Sequence, residues 1–189
     1  MSPKMKRREF MKLAGGGVFV FFTVGEPWER LEAQQRPGGR EYPADFNAYL
    51  RIAADGKVTG FSGKAELGQG TQTALAQILA EELDVPLDRV DVVMGDTALC
   101  PWDMGTFGSR SIKYFGPALR QAAAEARAVL VELASERLRV PAAQLATENG
   151  FVLEKRNPKN RVSYGDLARG RMIERHLDFK PPVKPPAEY

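Results

Sequence analysis

The sequence predicts an α+β fold in which a small mixed sheet carries two main helices. Three observations point to it. Asn47 to Ile52 alternates polar and apolar, Asp55-Gly56 is a turn signal, and Lys57 to Ala65 resumes as a second, glycine-containing strand. Two apolar repeats of helical period begin at Thr71 and Pro117, and each ends at a Val-Pro pair followed by a short apolar run. With 189 residues the chain has room for one such domain and a tail.

The N-terminus reads as an address. Lys4, Lys6, Arg7 and Arg8 precede an uncharged run from Leu13 to Val24. About a dozen apolar residues fall short of the roughly 20 that span a bilayer but suit a signal h-region. Arg7-Arg8-Glu9-Phe10-Met11-Lys12 resembles a twin-arginine export signal, with Lys6 in place of the usual hydroxyl residue and Met11 in place of leucine. Residues 1–33 are therefore expected to be an export signal and the product periplasmic or periplasm-facing. No small-x-small cleavage site is clear before Ala33, which leaves a retained anchor open. Residues 34–45, with Pro37-Gly38-Gly39, read as a linker, 46–179 as the folded segment and 180–189 as a proline-rich linker stub.

Within the folded segment, Asn47 to Ile52 and Lys57 to Ala65 form the expected hairpin. The first helix starts at Thr71, capped by Gly70 or Thr71, and buries Leu75, Ile78, Leu79 and Leu83. It should stop near Asp84, because Pro86 disfavours helix at Val85. Val90, Val92 and Val93 read as a buried strand that stops at Gly95-Asp96-Thr97. Pro117 suits the first turn of the second helix, whose buried face is Leu119, Ala122, Ala123, Ala126, Leu130, Leu133 and Ala134. Val140-Pro141 ends it, and Thr147 to Leu153 is expected as a strand. The repeated order of helix, Val-Pro and strand suggests two-fold layering of one sheet. Glu154 to Asn160 reads as a polar hairpin tip, Val162 to Tyr164 as a short strand, and Tyr164 to Arg169 as a helical turn.

Two stretches could carry chemistry. At Glu66-Leu67-Gly68-Gln69-Gly70 an extended segment becomes a helix, and Gly68 and Gly70 lack the Cβ atoms that would keep a bulky ligand off the backbone. Glu81, Glu82 and Asp84 crowd the far end of that helix, so its N-terminus is left as the electropositive end, suited to an anion. The alternative is a turn with glycines at positive φ and no ligand. The second stretch runs from Pro101 to Gly116, long for a connection. Gly105 and Gly108 make its backbone permissive, Thr106, Ser109 and Ser111 offer hydroxyls, and Arg110 offers a fixed fork for a phosphate or carbonyl. The alternative there is an Ω-loop in which Trp102 and Phe107 cover the core and Arg110 pairs with a surface acid.

Composition narrows the chemistry. Lys and Arg total 27 against 24 Asp and Glu, a net charge of +3 spread along the chain, so no nucleic-acid surface is implied. Cys100 is the single cysteine, which excludes an internal disulfide and a cysteine-ligated iron–sulfur cluster within the chain. His176 is the single histidine, which excludes a histidine-rich zinc site. Any metal here would arrive in a cofactor.

Glu66-Leu67-Gly68-Gln69-Gly70, Gly95-Asp96-Thr97 and Gly105-Thr106-Phe107-Gly108-Ser109-Arg110-Ser111, in that order and with a helix between, resemble the molybdopterin-binding region of the xanthine dehydrogenase and aldehyde oxidase superfamily. Within it the chain is most similar to the large subunit of bacterial isoquinoline 1-oxidoreductase-type enzymes. The resemblance covers the signal and Asn47 to about Tyr189. It implies a segment of a molybdopterin-binding domain and a molybdopterin-type molybdenum cofactor, with the cytosine dinucleotide form as one candidate. Gly68, Gln69, Gly70, Thr71, Gly105, Thr106, Phe107, Gly108, Ser109, Arg110 and Ser111 would bind it. By the same resemblance Gln69 hydrogen-bonds an oxo ligand of molybdenum and Gly108 approaches the metal closely, neither being a direct ligand. Phe107, Ser109 and Ser111 would line the pterin, while Arg110 could equally brace the loop.

The implied reaction hydroxylates a carbon of an N-heterocycle or aldehyde with oxygen from water, and electrons leave through a separate iron–sulfur subunit. The family's general base lies in a C-terminal segment not found in this sequence, so no catalytic residue is expected here and the isolated chain should not turn over. It would be a fragment of a longer reading frame or one piece of a split subunit, working with the remainder of the large subunit, the iron–sulfur small subunit and a small-molecule substrate. The competing readings are a non-catalytic exported module that binds an anion or cofactor, or an inactive gene fragment. A shared site requires Gln69 and Gly108 to be neighbours.

Overall fold

The computed structural model describes residues 16–22, 48–100, 103, 105–176 and 181–188. Their architecture is α+β, with one mixed five-stranded sheet, a second three-stranded antiparallel sheet and two long helices.

The expected hairpin is present as β2 (Ala48–Ile52) and β3 (Val58–Ser62), antiparallel with Leu50 opposite Gly60. The turn between them holds Gly56 at φ 81°, a conformation that costs glycine little. From β3 the chain crosses over through α1 (Thr71–Leu83) to β4 (Val90–Met94), which runs parallel to β3. Helix α1 buries Leu75, Leu79 and Leu83 on the sheet. Gly60 is where it comes closest: a Cβ there would sit 3.0 Å from the Leu79 side chain.

The largest departure from expectation is β1 (Gly17–Phe22), inside the run read as a signal h-region. It lies in the sheet interior, in the order β4-β3-β2-β1-β8, antiparallel to β2 and parallel to β8 (Met172–His176). All six residues are buried. Val18, Val20 and Phe22 enter the main core, while Phe19 and Phe21 join Tyr49, Phe61 and Cys100 on the opposite face. Burial of a large apolar side chain contributes about 1.5–3 kcal/mol, so the five side chains contribute roughly 10 kcal/mol, as much as the net stability of an ordinary domain. The folded unit thus recruits residues well before Phe46. The reason is that Val-Phe-Val-Phe-Phe has a strong preference for a strand buried on both faces, which a reading by length and flanking charge does not weigh.

Helix α2 (Gly116–Leu138) packs beside α1 over the same face, burying Leu119, Ala122, Ala123, Ala126, Leu130 and Ala134 as the apolar repeat predicts. The two Val-Pro units share one local geometry. Asp84 and Arg139 end their helices at positive φ, and the N–H groups of Val85 and Val140 reach back to the carbonyls of Ala80 and Ser135. Short 3₁₀ turns then follow at Leu87–Arg89 and Ala142–Gln144. The strands that follow do not enter one sheet. The first is β4; the second is β5 (Leu145–Glu148), which turns at Asn149-Gly150 into β6 (Phe151–Glu154) and then β7 (Asn157–Ser163), making the second sheet.

Thr147 to Leu153 is accordingly a hairpin rather than one strand, because Asn149 and Gly150 both take positive φ. Most of the polar tip expected at Glu154 to Asn160 is the start of β7. A single turn, α3 (Tyr164–Ala168), is capped by the Ser163 hydroxyl, which accepts from the Asp166 N–H, and Tyr164 donates to the Leu83 carbonyl at 2.7 Å.

The proline-rich stretch does not extend freely. Residues 181–188 lie across α1 and α2, held by main-chain recognition. Gln121 donates to the Pro181 carbonyl and Arg127 to that of Pro182. Arg120 donates to the Lys184 carbonyl, and the Lys184 N–H points at Glu82. Fully buried Glu82 also accepts from Arg120 at 3.1 Å and Arg127 at 2.7 Å. Glu82 and Asp84 at the end of α1, unfavourable against the macrodipole alone, are therefore matched by Arg120 and Arg127 from α2 and by Lys184, which pairs with Asp84.

Candidate functional site

The first loop is built by Glu66. Its side chain turns toward the start of α1, where Oε1 accepts from the N–H groups of Gly68 at 2.7 Å and Gly70 at 3.0 Å, and Oε2 from that of Gln72 at 2.8 Å. Three charge-assisted bonds hold its pKa below the usual carboxylate value, the Gln72 N–H being the largest cause. The electropositive end of α1 is thus occupied by the chain's own anion, which corrects the expectation that these N–H groups await a ligand. Gln69 folds along the same loop: Oε1 accepts from the Leu67 N–H at 2.6 Å and Nε2 donates to the Ala65 carbonyl at 3.0 Å. Gly68 and Gly70 sit at φ 96° and 78°, and nothing lies within 4 Å of where either Cβ would be. Gln72 anchors the loop from behind, donating to the Val92 carbonyl of β4 at 2.8 Å.

The second loop begins by covering the back of the sheet. Asp96 orders Gly95-Asp96-Thr97, its Oδ1 accepting from the N–H groups of Ala98 and Leu99 and its carbonyl from that of Cys100. Tyr49 stacks on Phe61 with centroids 4.3 Å apart and donates to the Leu99 carbonyl at 2.9 Å, closing this smaller core. Buried Cys100 belongs to it, and burial pushes its thiol pKa up.

The two loops are joined by residues that their motifs do not contain. Lys64, 7% exposed, donates from Nζ to Asp103 Oδ1 and to the Gly105 carbonyl, both at 2.7 Å. Asp103 Oδ1 also accepts from the Gly105 N–H, and the Ala65 N–H reaches Thr106 Oγ1 at 2.7 Å. A buried ion pair and a hydroxyl bond therefore hold 64–65 against 103–106. Neither Lys64 nor Asp103 stands out in sequence, since they lie 39 positions apart and each resembles an ordinary surface charge.

Beyond the clasp, Gly105 and Gly108 take φ 131° and 60°, and Ser109 follows at 56°. Phe107 is 51% exposed, with the Arg110 guanidinium 5.7 Å from its ring centroid and 6.0 Å from that of Tyr114. This overturns the Ω-loop alternative for Phe107, which does not cover the core; Trp102 lies outside the described residues. Ser111, buried, begins a π-helical turn, Ser111–Phe115, that delivers Phe115 against Phe22 and leads directly into α2.

Of the sequence-singled residues, Gly68, Gln69, Gly70, Phe107, Gly108 and Ser109 are exposed, Gly105, Thr106 and Arg110 are half-buried, and Thr71 and Ser111 are buried. Thr71 and Ser111 thus sit behind the loops. The loops are joined through Lys64, Ala65, Asp103, Gly105 and Thr106. Nothing described crowds Gly68, Gly70 or Gly108, the nearest atom to a Gly108 Cβ being Arg110 Cγ at 4.0 Å. Gln69 uses one N–H of its amide within the loop and has a second. The residues present fit a bulky, neutral-to-anionic cofactor that approaches over the glycines.

An α+β domain presenting two clasped glycine loops at the ends of β3 and β4 defines a cofactor-cradling class. The comparison with known families makes this specific: residues 3–184 match the molybdopterin cofactor-binding domain, and the chain belongs to that family. It is 36% identical to a nicotinate dehydrogenase subunit of Pseudomonas putida over 141 residues, 75% of this chain and 12% of that one. The beta subunit of isoquinoline 1-oxidoreductase from Brevundimonas diminuta is 40% identical over 129 residues, 64% of this chain and 16% of that one. The xanthine dehydrogenase molybdenum-binding subunit of Escherichia coli is 33% identical over 183 residues, 92% and 23%. Among solved structures, CO dehydrogenase from Oligotropha carboxidovorans superposes with a TM-score of 0.56 at 33% identity, covering 63% of this chain and 15% of that one. The chain thus spans less than a quarter of the length of these curated relatives.

Proposed function

We propose that this chain is the first cofactor-holding segment of an exported molybdenum hydroxylase that oxidises an N-heterocycle or aldehyde with oxygen from water. The observation that carries the reading is the Lys64–Asp103 clasp, which holds two open glycine loops together in a member of this family. When bound, a molybdopterin-type cofactor, with the cytosine dinucleotide form as a candidate, supplies the oxygen-transfer and redox chemistry. The chain's own residues hold and orient it. Gln69 presents an amide that donates a hydrogen bond without titrating, Gly68, Gly70 and Gly108 give steric access, and Phe107 with Arg110 offers a flat rim for the pterin. Since the Glu66 carboxylate already takes the N–H groups of Gly68, Gly70 and Gln72, the second loop or another segment would hold the cofactor's phosphates.

Nicotinate and isoquinoline, named in two of the relatives, are both N-heterocycles, which supports that substrate class. The general base and most substrate contacts would come from the remainder of the subunit, and electrons would leave through an iron–sulfur partner. Export follows the paired arginines, Arg7-Arg8.

The test is co-expression with the neighbouring reading frames, followed by molybdenum analysis and turnover. Gln69→Ala should lower turnover strongly and leave most molybdenum in place, whereas Gly108→Val should expel the metal. Full activity in the first, or full molybdenum in the second, overturns the assigned roles. Arg7→Lys with Arg8→Lys should keep the product in the cytoplasm.

A further inference from the structure

The six residues Gly17–Phe22 stand in two roles that exclude one another. As the apolar run behind Arg7-Arg8 they must be free to enter an export machine. As β1 they are buried on both faces between β2 and β8. While they occupy the sheet, these six residues are not available to that machine.

The topology shows how this could be relieved. Strands β2 and β3, helix α1 and strand β4 form one continuous unit that does not pass through β1. Within the sheet β8 pairs with β1 alone. The link from β1 to β2 covers residues 23 to 47 rather than a tight turn, and the residues just upstream of β1 are those of the proposed signal. The strand can therefore be replaced without threading any other described element through the fold. Removing it would leave a slot floored by α2, with one wall made by the backbone of β2 and the other by that of β8.

We propose that this slot is an acceptor for an apolar strand from the remainder of the molybdenum-binding subunit, and that Gly17–Phe22 is a placeholder that leaves when that strand arrives. This rests on the preceding reading in that it takes the chain to be exported and to work with the rest of a longer subunit; the relatives, of which the chain spans 12 to 23%, supply the length from which such a strand would come. The occupant is constrained by what it must match. It has six or so residues, runs parallel to β8 and antiparallel to β2, and has no proline, because both its edges carry ladder hydrogen bonds. It is apolar on both faces, with rings at alternate positions to meet Tyr49 and its stacked partner Phe61, where Phe19 and Phe21 now sit. Its arrival would release the signal, so that only assembled subunit is exported.

The register supplies the probe. Val20 lies opposite Leu50 in the main core, on the face of the sheet away from Cys100. The full chain carrying Val20→Cys and Leu50→Cys is expressed alone and together with the remaining reading frames, treated with a mild oxidant, and fractionated. The expected result is a Val20–Leu50 crosslink in the chain expressed alone and its loss, with appearance in the periplasm, on co-expression. A crosslink that persists in the assembled complex overturns the proposal. Loss of the crosslink without export leaves the exchange standing and removes the export reading. Because two core cysteines can impair folding, hydrogen exchange of residues 17–22 in the unmutated protein provides a second reading: protection alone and exposure in the complex support exchange, and equal protection in both refutes it.

Discussion

Replacing Lys64 by methionine keeps most of the side chain's volume and removes its charge, which takes from the Asp103 carboxylate, 6% exposed, the cation it pairs with. At 2.7 Å the Coulomb attraction is about 6 kcal/mol for an effective dielectric of about 20, and much of this offsets the desolvation of the two ions. The net cost of breaking such a pair from one side is about 3–5 kcal/mol. The Gly105 carbonyl loses its Lys64 donor in the same change, so the upper half of that range applies. Neither loop is part of the main core, so the loss should appear first as local opening of 103–110 and 64–70, with β1–β4 and the helices intact. Every 1.4 kcal/mol is a factor of ten in the opening constant, so a loss of about 4–5 kcal/mol gives roughly 10³-fold to a few thousand-fold weaker hydrogen-exchange protection at Gly105 and Ala65. Lys64→Met with Asp103→Leu should recover part of the loss, because no buried charge is then stranded. Unchanged exchange in Lys64→Met, or a double variant worse than the sum of the single ones, would refute the clasp as the element that joins the loops.

Glu66 titrates below its ordinary value because its ionised form accepts three backbone N–H groups. A depressed folded pKa means the stabilisation is present above the unfolded pKa and is lost as pH falls through the folded one. Exchange of the Gly68, Gly70 and Gln72 amides should therefore accelerate in acid beyond its intrinsic pH dependence, and Glu66→Gln should show the faster rates already at neutral pH; equal protection in the variant would remove Glu66 as the loop's organiser. Glu82→Ala should free the 181–188 segment from α1 and α2. Arg120 and Arg127 are about a quarter exposed and can rehydrate, so the expected loss is about 1.5–3 kcal/mol, read as hydrogen exchange at the Lys184 amide. Protection at Lys184 equal to that of the unmutated chain would show that the segment is held without the carboxylate.

What the sequence determined by itself about this protein is local. The period of α1 and α2, their ends before Val85-Pro86 and Val140-Pro141, the turn at Asp55-Gly56 and the positive φ at Gly68, Gly70, Gly105 and Gly108 follow from side-chain spacing and backbone sterics within a few residues. The family was legible for the same reason, since its three motifs are short, contiguous and each contain glycine. The tertiary structure decided what depends on residues far apart in the chain. It put Gly17–Phe22 inside a sheet whose other strands begin at Ala48, and it sent two equivalent Val-Pro units into different sheets. It laid a proline-rich stretch over Glu82 and paired Lys64 with Asp103. A charge in a sequence carries no mark of whether it will be buried against an opposite charge, and an apolar run carries no mark of which strands it will lie between or apart from. Only the assembled fold, by supplying the partner, decides both.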